Sequence, residues 1–164
     1  MNEEHWNRLP ATEKEQYLTF HRTAFEEDMR HAEKNALDFP RWSVISGYYC
    51  MHDITKLFLA KNYDIKIGSL DAHAKTIEAL EHFIKDGALK QKLLSLLAEA
   101  SDIYYDAERL KERTLPTLLR KGREERRKAR YYADAANEVN AQKTLYFLDT
   151  IVKPYVKIIR GLMD

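Results

Sequence analysis

Apolar side chains recur at three- and four-residue steps along almost the whole of this 164-residue chain. Such spacing places them on one face of an α-helix. The chain has only 5 Gly and 4 Pro, so few residues interrupt long helices. Strand-period alternation of apolar and polar residues does not extend over any length. The pattern therefore predicts an all-α fold, an up-and-down helical bundle of about five helices.

Stop and start signals divide this pattern into a short N-terminal arm and five helices. The predicted arm is 1–11, and the predicted helices are 12–37, 43–61, 70–85, 88 to just before Pro116, and 122–160. Pro40 is expected to stop the first helix, and Pro154 to kink the last one or remove one of its backbone hydrogen bonds.

Five polar residues are candidates for capping the helix starts. Thr12 and Glu15 have the spacing of a capping box at the start of the first helix. Ser43 is the N-cap candidate of the second helix, and Asp71 or Ser69 that of the third.

Composition limits the class of protein. Hydrophobic residues make up 45% and charged residues 32%, which is typical of a globular chain, here read as one domain over 1–164. No stretch approaches the ~18 consecutive apolar residues of a membrane span, and the acidic start lacks a signal-peptide core. The single cysteine, Cys50, lies in an apolar helix. We therefore expect a buried, unreactive thiol and a cytoplasmic protein.

Charge is distributed unevenly along the chain. The formal net charge is only +1, but the segment RKGREERRKAR at 120–130 carries seven bases and two acids. On a helical wheel one sector of about 80° holds Arg120, Arg123, Arg127, Arg130 and Asp134. Arginine suits phosphate recognition, and a neighbouring tyrosine can stack on a base. The predicted ligand-binding residues are Arg120, Arg123, Arg127, Arg130 and Tyr131. The alternative is a solvated face on which Arg130 and Asp134 form an ordinary (i, i+4) pair.

The middle of the chain resembles a known family. The run SGYYCMHDITKLFLAK, a loop, and then DAHAKTIEAL are similar to the HEPN family of small helical domains. The resemblance rests on order and spacing, and it covers the central quarter of the chain. Its residues are Tyr48, Tyr49, Met51, His52, Lys56, Leu57, Leu59, His73, Lys75 and Leu80.

That resemblance implies an RNA-related role. Many HEPN proteins are metal-independent prokaryotic RNases or RNA binders, with an Arg, four to six residues and then a His. None of the six histidines here follows an Arg at that spacing, and Arg127 is followed by Tyr132 instead. Arg130 and Asp134 match a weaker family pattern. We therefore expect no nuclease activity, with Arg127, Arg130 and Asp134 as the remaining catalytic candidates.

Other site residues have simpler readings. We expect His52 to be buried and hydrogen-bonded, and His73 to lie at the surface or cap a helix. A di-iron site is incomplete, since only Asp28-x-x-His31 and Glu78-x-x-Glu81 approach its pattern, and no metal or cofactor is expected. In each of the pairs Tyr48–Tyr49, Tyr104–Tyr105 and Tyr131–Tyr132, one ring can pack while the other reaches a rim or a partner.

Two functional classes follow from these readings. The first is an RNA- or nucleotide-binding module that is degenerate as an RNase. The second is a protein-interaction module, because HEPN chains often work with a minimal nucleotidyltransferase as a toxin–antitoxin pair. The resemblance also implies a homodimer, in which two arginine rows would face one groove.

Overall fold

The computed structural model describes residues 6–68, 70–120 and 139–164, with side chains for all of these except 109–120. The elements are α1 (Ala11–Asn35), α2 (Pro40–Tyr63), α3 (Ala72–Phe83), α4 (Gly87–Arg120), α5 (Ala141–Tyr146), a π turn (Phe147–Val152) and α6 (Lys153–Met163). The last three follow without a break. The predicted all-α helical bundle is confirmed. Within the described ranges, no helix is both long enough and apolar enough to span a bilayer.

Helix α2 is the central element, because α1, α3, α4, α6 and the π turn all pack on it. Between 42 and 60 only Trp42 and Tyr49 are exposed, as expected for a helix that is apolar on most sides. Gly47 allows the π turn to pack close to α2, because a Cβ at this position would lie 2.8 Å from Cε1 of Phe147. The position of α2 therefore depends on small residues as well as on large apolar ones.

The helix starts differ from the sequence prediction. Helix α1 begins after Pro10 without a side-chain cap, so the Thr12–Glu15 capping box is wrong. Pro40 was expected to stop the first helix, but it lies in the first turn of α2, where its missing N–H would have no intrahelical partner anyway. Ser43 consequently lies inside α2, where its hydroxyl donates to the carbonyl of Ala32 on α1.

The predicted end of the fourth helix before Pro116 is wrong, because α4 continues through Pro116 to Arg120. Residues 122–138 of the predicted unbroken helix 122–160 lie outside the described residues. That prediction is wrong in its described part, because residues 139–140 are not helical and a helix starts at Ala141. There the Asn140 side chain accepts from the backbone N–H of Lys143 at 2.8 Å. Pro154 follows directly on the π turn, which replaces the α-helical bonding pattern there.

A two-residue antiparallel ladder ties the N-terminal arm to the end of α2. Asn7–Arg8 pairs with Ile65–Lys66, and the Leu9 N–H donates to the carbonyl of Asp64. Asp64 ends α2 in the left-handed conformation, with φ at 55°. A ladder this short leaves no periodic signal in the sequence.

Candidate functional site

Three helices bring tyrosine and histidine rings together. Helix α2 contributes Tyr48, Tyr49 and His52, which lie within one turn of each other. Helix α3 contributes His73 from its first turn, and α4 contributes Tyr104 and Tyr105. The ring centroids of His52 and His73 are 4.2 Å apart and the rings are nearly parallel, at 17°. The sequence identified His52 and His73 separately, and the structure stacks them.

Tyr48 joins the histidines to α4. Its ring meets His52 edge-on at 4.5 Å and stacks on Tyr104 at 4.3 Å. Burial is the main cause of the raised pKa of Tyr48. Offset and edge-on pairs of this kind are favourable beyond the apolar area they bury. The cluster is therefore a packed aromatic layer between α2 and α4.

In each of the two described tyrosine pairs, one ring lies in the core and the other at the surface. Tyr48 and Tyr104 are buried, whereas Tyr49 is 40% and Tyr105 54% exposed. The Tyr49 ring lies 5.4 Å from His73, and its hydroxyl is 3.4 Å from that of Tyr104. Tyr49 and Tyr105 thus present aromatic surface to solvent at the edge of the cluster, with half-buried His73 beside Tyr49.

His52 is buried but not paired. Its exposed fraction is 1%, and neither ring nitrogen has a hydrogen-bond partner among the described residues. The predicted burial is confirmed, whereas the predicted hydrogen bond is not found there, because aromatic rings occupy the contacts around it. Burial lowers the pKa of His52 well below its usual 6.5, and the nearby charges of His73 and Lys56 lower it further. Most buried polar groups in proteins have a partner, so this one requires an explanation.

Two further basic groups lie beside His52. Lys56 is one turn along α2, and His73 stacks on the His52 ring; both are half-buried. Burial lowers the pKa of Lys56 and that of His73, and Lys56 also lowers the pKa of His73. Within the part of the chain that the structure describes, Lys56 has no carboxylate within ion-pair distance.

The acid nearest these bases has another partner. Asp53 lies between His52 and Lys56 in sequence, and its carboxylate is 2.7 Å from Nδ1 of His21 on α1. Burial, together with Asp53 and then Glu27, raises the pKa of Asp28 to about 6. The Asp53 carboxylate thus lies against His21, and its negative charge also acts on Lys56 and His73, whose pKa values it raises.

Sequence reasoning missed His21. Phe20 and Leu37 fit the apolar helical spacing of this segment, but they are 65% and 67% exposed, whereas His21 is only 7% exposed. The sequence signal was present, because His21, Phe25 and Ala32 keep helical spacing. His31, considered for a di-iron site, instead bonds the Ser46 hydroxyl. No group of three metal ligands occurs among the described residues.

The predicted arginine row lies outside the described residues. This applies to Arg123, Arg127, Arg130, Tyr131 and Asp134, and to the side chain of Arg120, whose backbone ends α4. The pair Tyr131–Tyr132 lies there as well.

Comparison with known proteins gives no relative. No family model matches the chain, no curated protein matches its sequence, and no solved structure matches its fold.

Proposed function

We propose that this chain is a cytoplasmic, HEPN-like protein that binds RNA or a nucleotide. The observation that carries the proposal is the exposed aromatic surface formed by Tyr49, Tyr105 and half-buried His73. Rings held in this way can stack on unpaired bases, and each stacked base contributes about 1–3 kcal/mol to binding. The packed layer beneath, with Tyr48 and Tyr104, holds these rings in place.

The charge pattern of the sequence supports the same ligand. The row Arg120, Arg123, Arg127 and Arg130 supplies bidentate phosphate donors, and Tyr131 supplies another ring. Cleavage is not part of the proposal, because no histidine follows an arginine at the spacing of the family's RNase motif. Residual activity, if found, would be metal-independent and would lead to Arg127, Arg130 and Asp134.

The direct test is fluorescence anisotropy of labelled single-stranded RNA at two salt concentrations, with the same samples run on a denaturing gel. We expect salt-sensitive binding and intact RNA. Tyr49→Ala with Tyr105→Ala should weaken binding by about 1–3 kcal/mol for each stacked base lost. Tyr146→Ala is the matched control, because Tyr146 is 50% exposed and lies on α5.

Each outcome of this test has a definite meaning. Equal affinity in the double variant and the control would refute the aromatic surface as the RNA site. An absence of binding at low salt would refute the nucleic-acid proposal. Cleaved RNA would show a catalytic site without the expected histidine.

A second candidate is a protein-interaction module that pairs with a minimal nucleotidyltransferase, with the chain as a homodimer. The supporting observation is the apolar exposure at the turn between α1 and α2, where Leu37, Phe39 and Trp42 are 67%, 59% and 47% exposed. Exposed apolar patches often mark partner surfaces. Sedimentation tests this second candidate. The wild-type protein and the double variant with Phe39→Ser and Trp42→Ser are each measured alone and mixed with such a transferase. Unchanged masses in every sample would refute it.

A further inference from the structure

Three basic side chains lie close together, and none of them forms an ion pair among the described residues. His52, His73 and Lys56, here called the basic trio, come from the middle of α2 and the first turn of α3. The two imidazoles stack at 4.2 Å, and the Lys56 charge acts on both. Protonating these rings beside the Lys56 ammonium would bury like charges together, which is unfavourable unless an opposite charge joins them.

Among the described residues, Asp53 is the acid whose charge acts on the basic trio, since it raises the pKa of Lys56 and of His73. Its carboxylate also lies 2.7 Å from Nδ1 of His21. Glu108 acts on Tyr104. The titratable groups that face the trio are Tyr48 and Asp53 on α2 and Tyr104 on α4, with Tyr49 at the rim.

We propose that His52, His73 and Lys56 form a binding site for a phosphate group. Lys56 and His73 are half-buried, whereas His52 is buried and its ring nitrogens have no hydrogen-bond partner in the described part of the chain. A phosphate would accept charge-assisted hydrogen bonds from the Lys56 ammonium and the His73 imidazolium. Its charge would also make protonation of the stacked pair favourable.

The position relative to the aromatic surface indicates which phosphates fit. Tyr49 and Lys56 are seven residues apart on α2, which is about two turns or 10 Å along the same face. A base stacked on Tyr49 would therefore place its own or an adjacent phosphate near Lys56. The source of the phosphate, as a nucleotide or as the backbone of single-stranded RNA, rests on the proposed function; the phosphate site itself does not.

Phosphate binding at such a site is coupled to proton uptake. The folded protein disfavours protonated His52 and His73, and an anion reverses that preference. Affinity should therefore rise as the pH falls below 6.5, by up to about tenfold per pH unit for each proton taken up.

The experiment is an NMR titration of the histidine ring signals with inorganic phosphate, compared with chloride at equal ionic strength. His52→Leu and His73→Gln assign the two signals. We expect phosphate to raise the apparent pKa of His73 and His52. Lys56→Met should weaken phosphate binding about tenfold or more, because it removes a charged hydrogen bond. Lys157→Met, on an exposed residue of α6, is the control and should bind as wild type.

Adenosine, adenosine monophosphate and labelled single-stranded RNA are then tested on the same variants. If the protein binds phosphate, and if its RNA binding weakens in Lys56→Met, both proposals are supported. Phosphate or nucleotide binding without RNA binding supports the site and refutes RNA as the ligand. Histidine signals that do not respond to phosphate, with RNA affinity unchanged in Lys56→Met, overturn the phosphate site and leave the proposed function standing.

Discussion

Replacing His52 should change how the stability of the protein depends on pH. In the unfolded chain His52 takes up a proton near pH 6.5, whereas the folded protein keeps the buried ring neutral to much lower pH. The unfolded state therefore binds more protons in this range, and stability must fall as the pH falls below 6.5. His52→Phe and His52→Leu remove the group, so both variants should lose this part of the pH dependence.

The magnitude follows from the linkage relation. While the folded protein keeps His52 neutral, each pH unit below 6.5 reduces the free energy of unfolding by about 1.4 kcal/mol. His73 acts in the same direction, since its pKa is also lowered. Asp28 acts in the opposite direction, because its pKa is raised from 3.8 to about 6 and the folded state binds the proton first. The slope of wild-type stability against pH is therefore the sum of these contributions. The difference in slope between the wild type and a His52 variant gives the contribution of His52.

Urea unfolding at a series of pH values between 4.5 and 7.5 measures this difference. Phenylalanine is larger than histidine and can strain the site, so the slope with pH decides the result rather than the stability at one pH. Ile54→Val, in the buried part of α2, is the control, because it should lower the whole curve by about 0.5–1.5 kcal/mol without changing its slope. If the His52 variants keep the wild-type slope below pH 6.5, the ring is not held neutral and the reasoning fails.

Three further predictions concern packing on α2. Gly47→Ala should destabilise the protein by about 1–3 kcal/mol in urea unfolding, because the new methyl would meet Phe147; an unchanged midpoint would contradict the close contact. Tyr155→Phe removes the buried hydroxyl that lies 2.6 Å from that of Thr55 and should cost about 0.5–1.5 kcal/mol, and a neutral result would mean that the bond is not formed. Burial raises the pKa of the Cys50 thiol, so a thiol reagent should label it only as fast as the protein unfolds, and rapid labelling of native protein would contradict its burial.

The sequence by itself determined the helical class of the fold. Helical spacing with few Gly and Pro residues allows little else, because it creates apolar faces that only helix packing can bury. It also determined that Cys50 and His52 would be buried. These properties depend on local spacing, which the sequence shows directly.

Tertiary structure decided which helix faces meet. The sequence did not place His73 on His52 or His21 against Asp53, because each pair joins helices whose relative rotation no local pattern specifies. It misread Ser43 and Pro40 for a related reason: a buried serine bonded to a neighbouring helix looks like a cap, and a proline that starts one helix looks like the end of another. The basic trio also depends on packing, because only the folded bundle brings His73 of α3 onto the face of α2 that carries His52 and Lys56. Burial there lowers the pKa of all three groups.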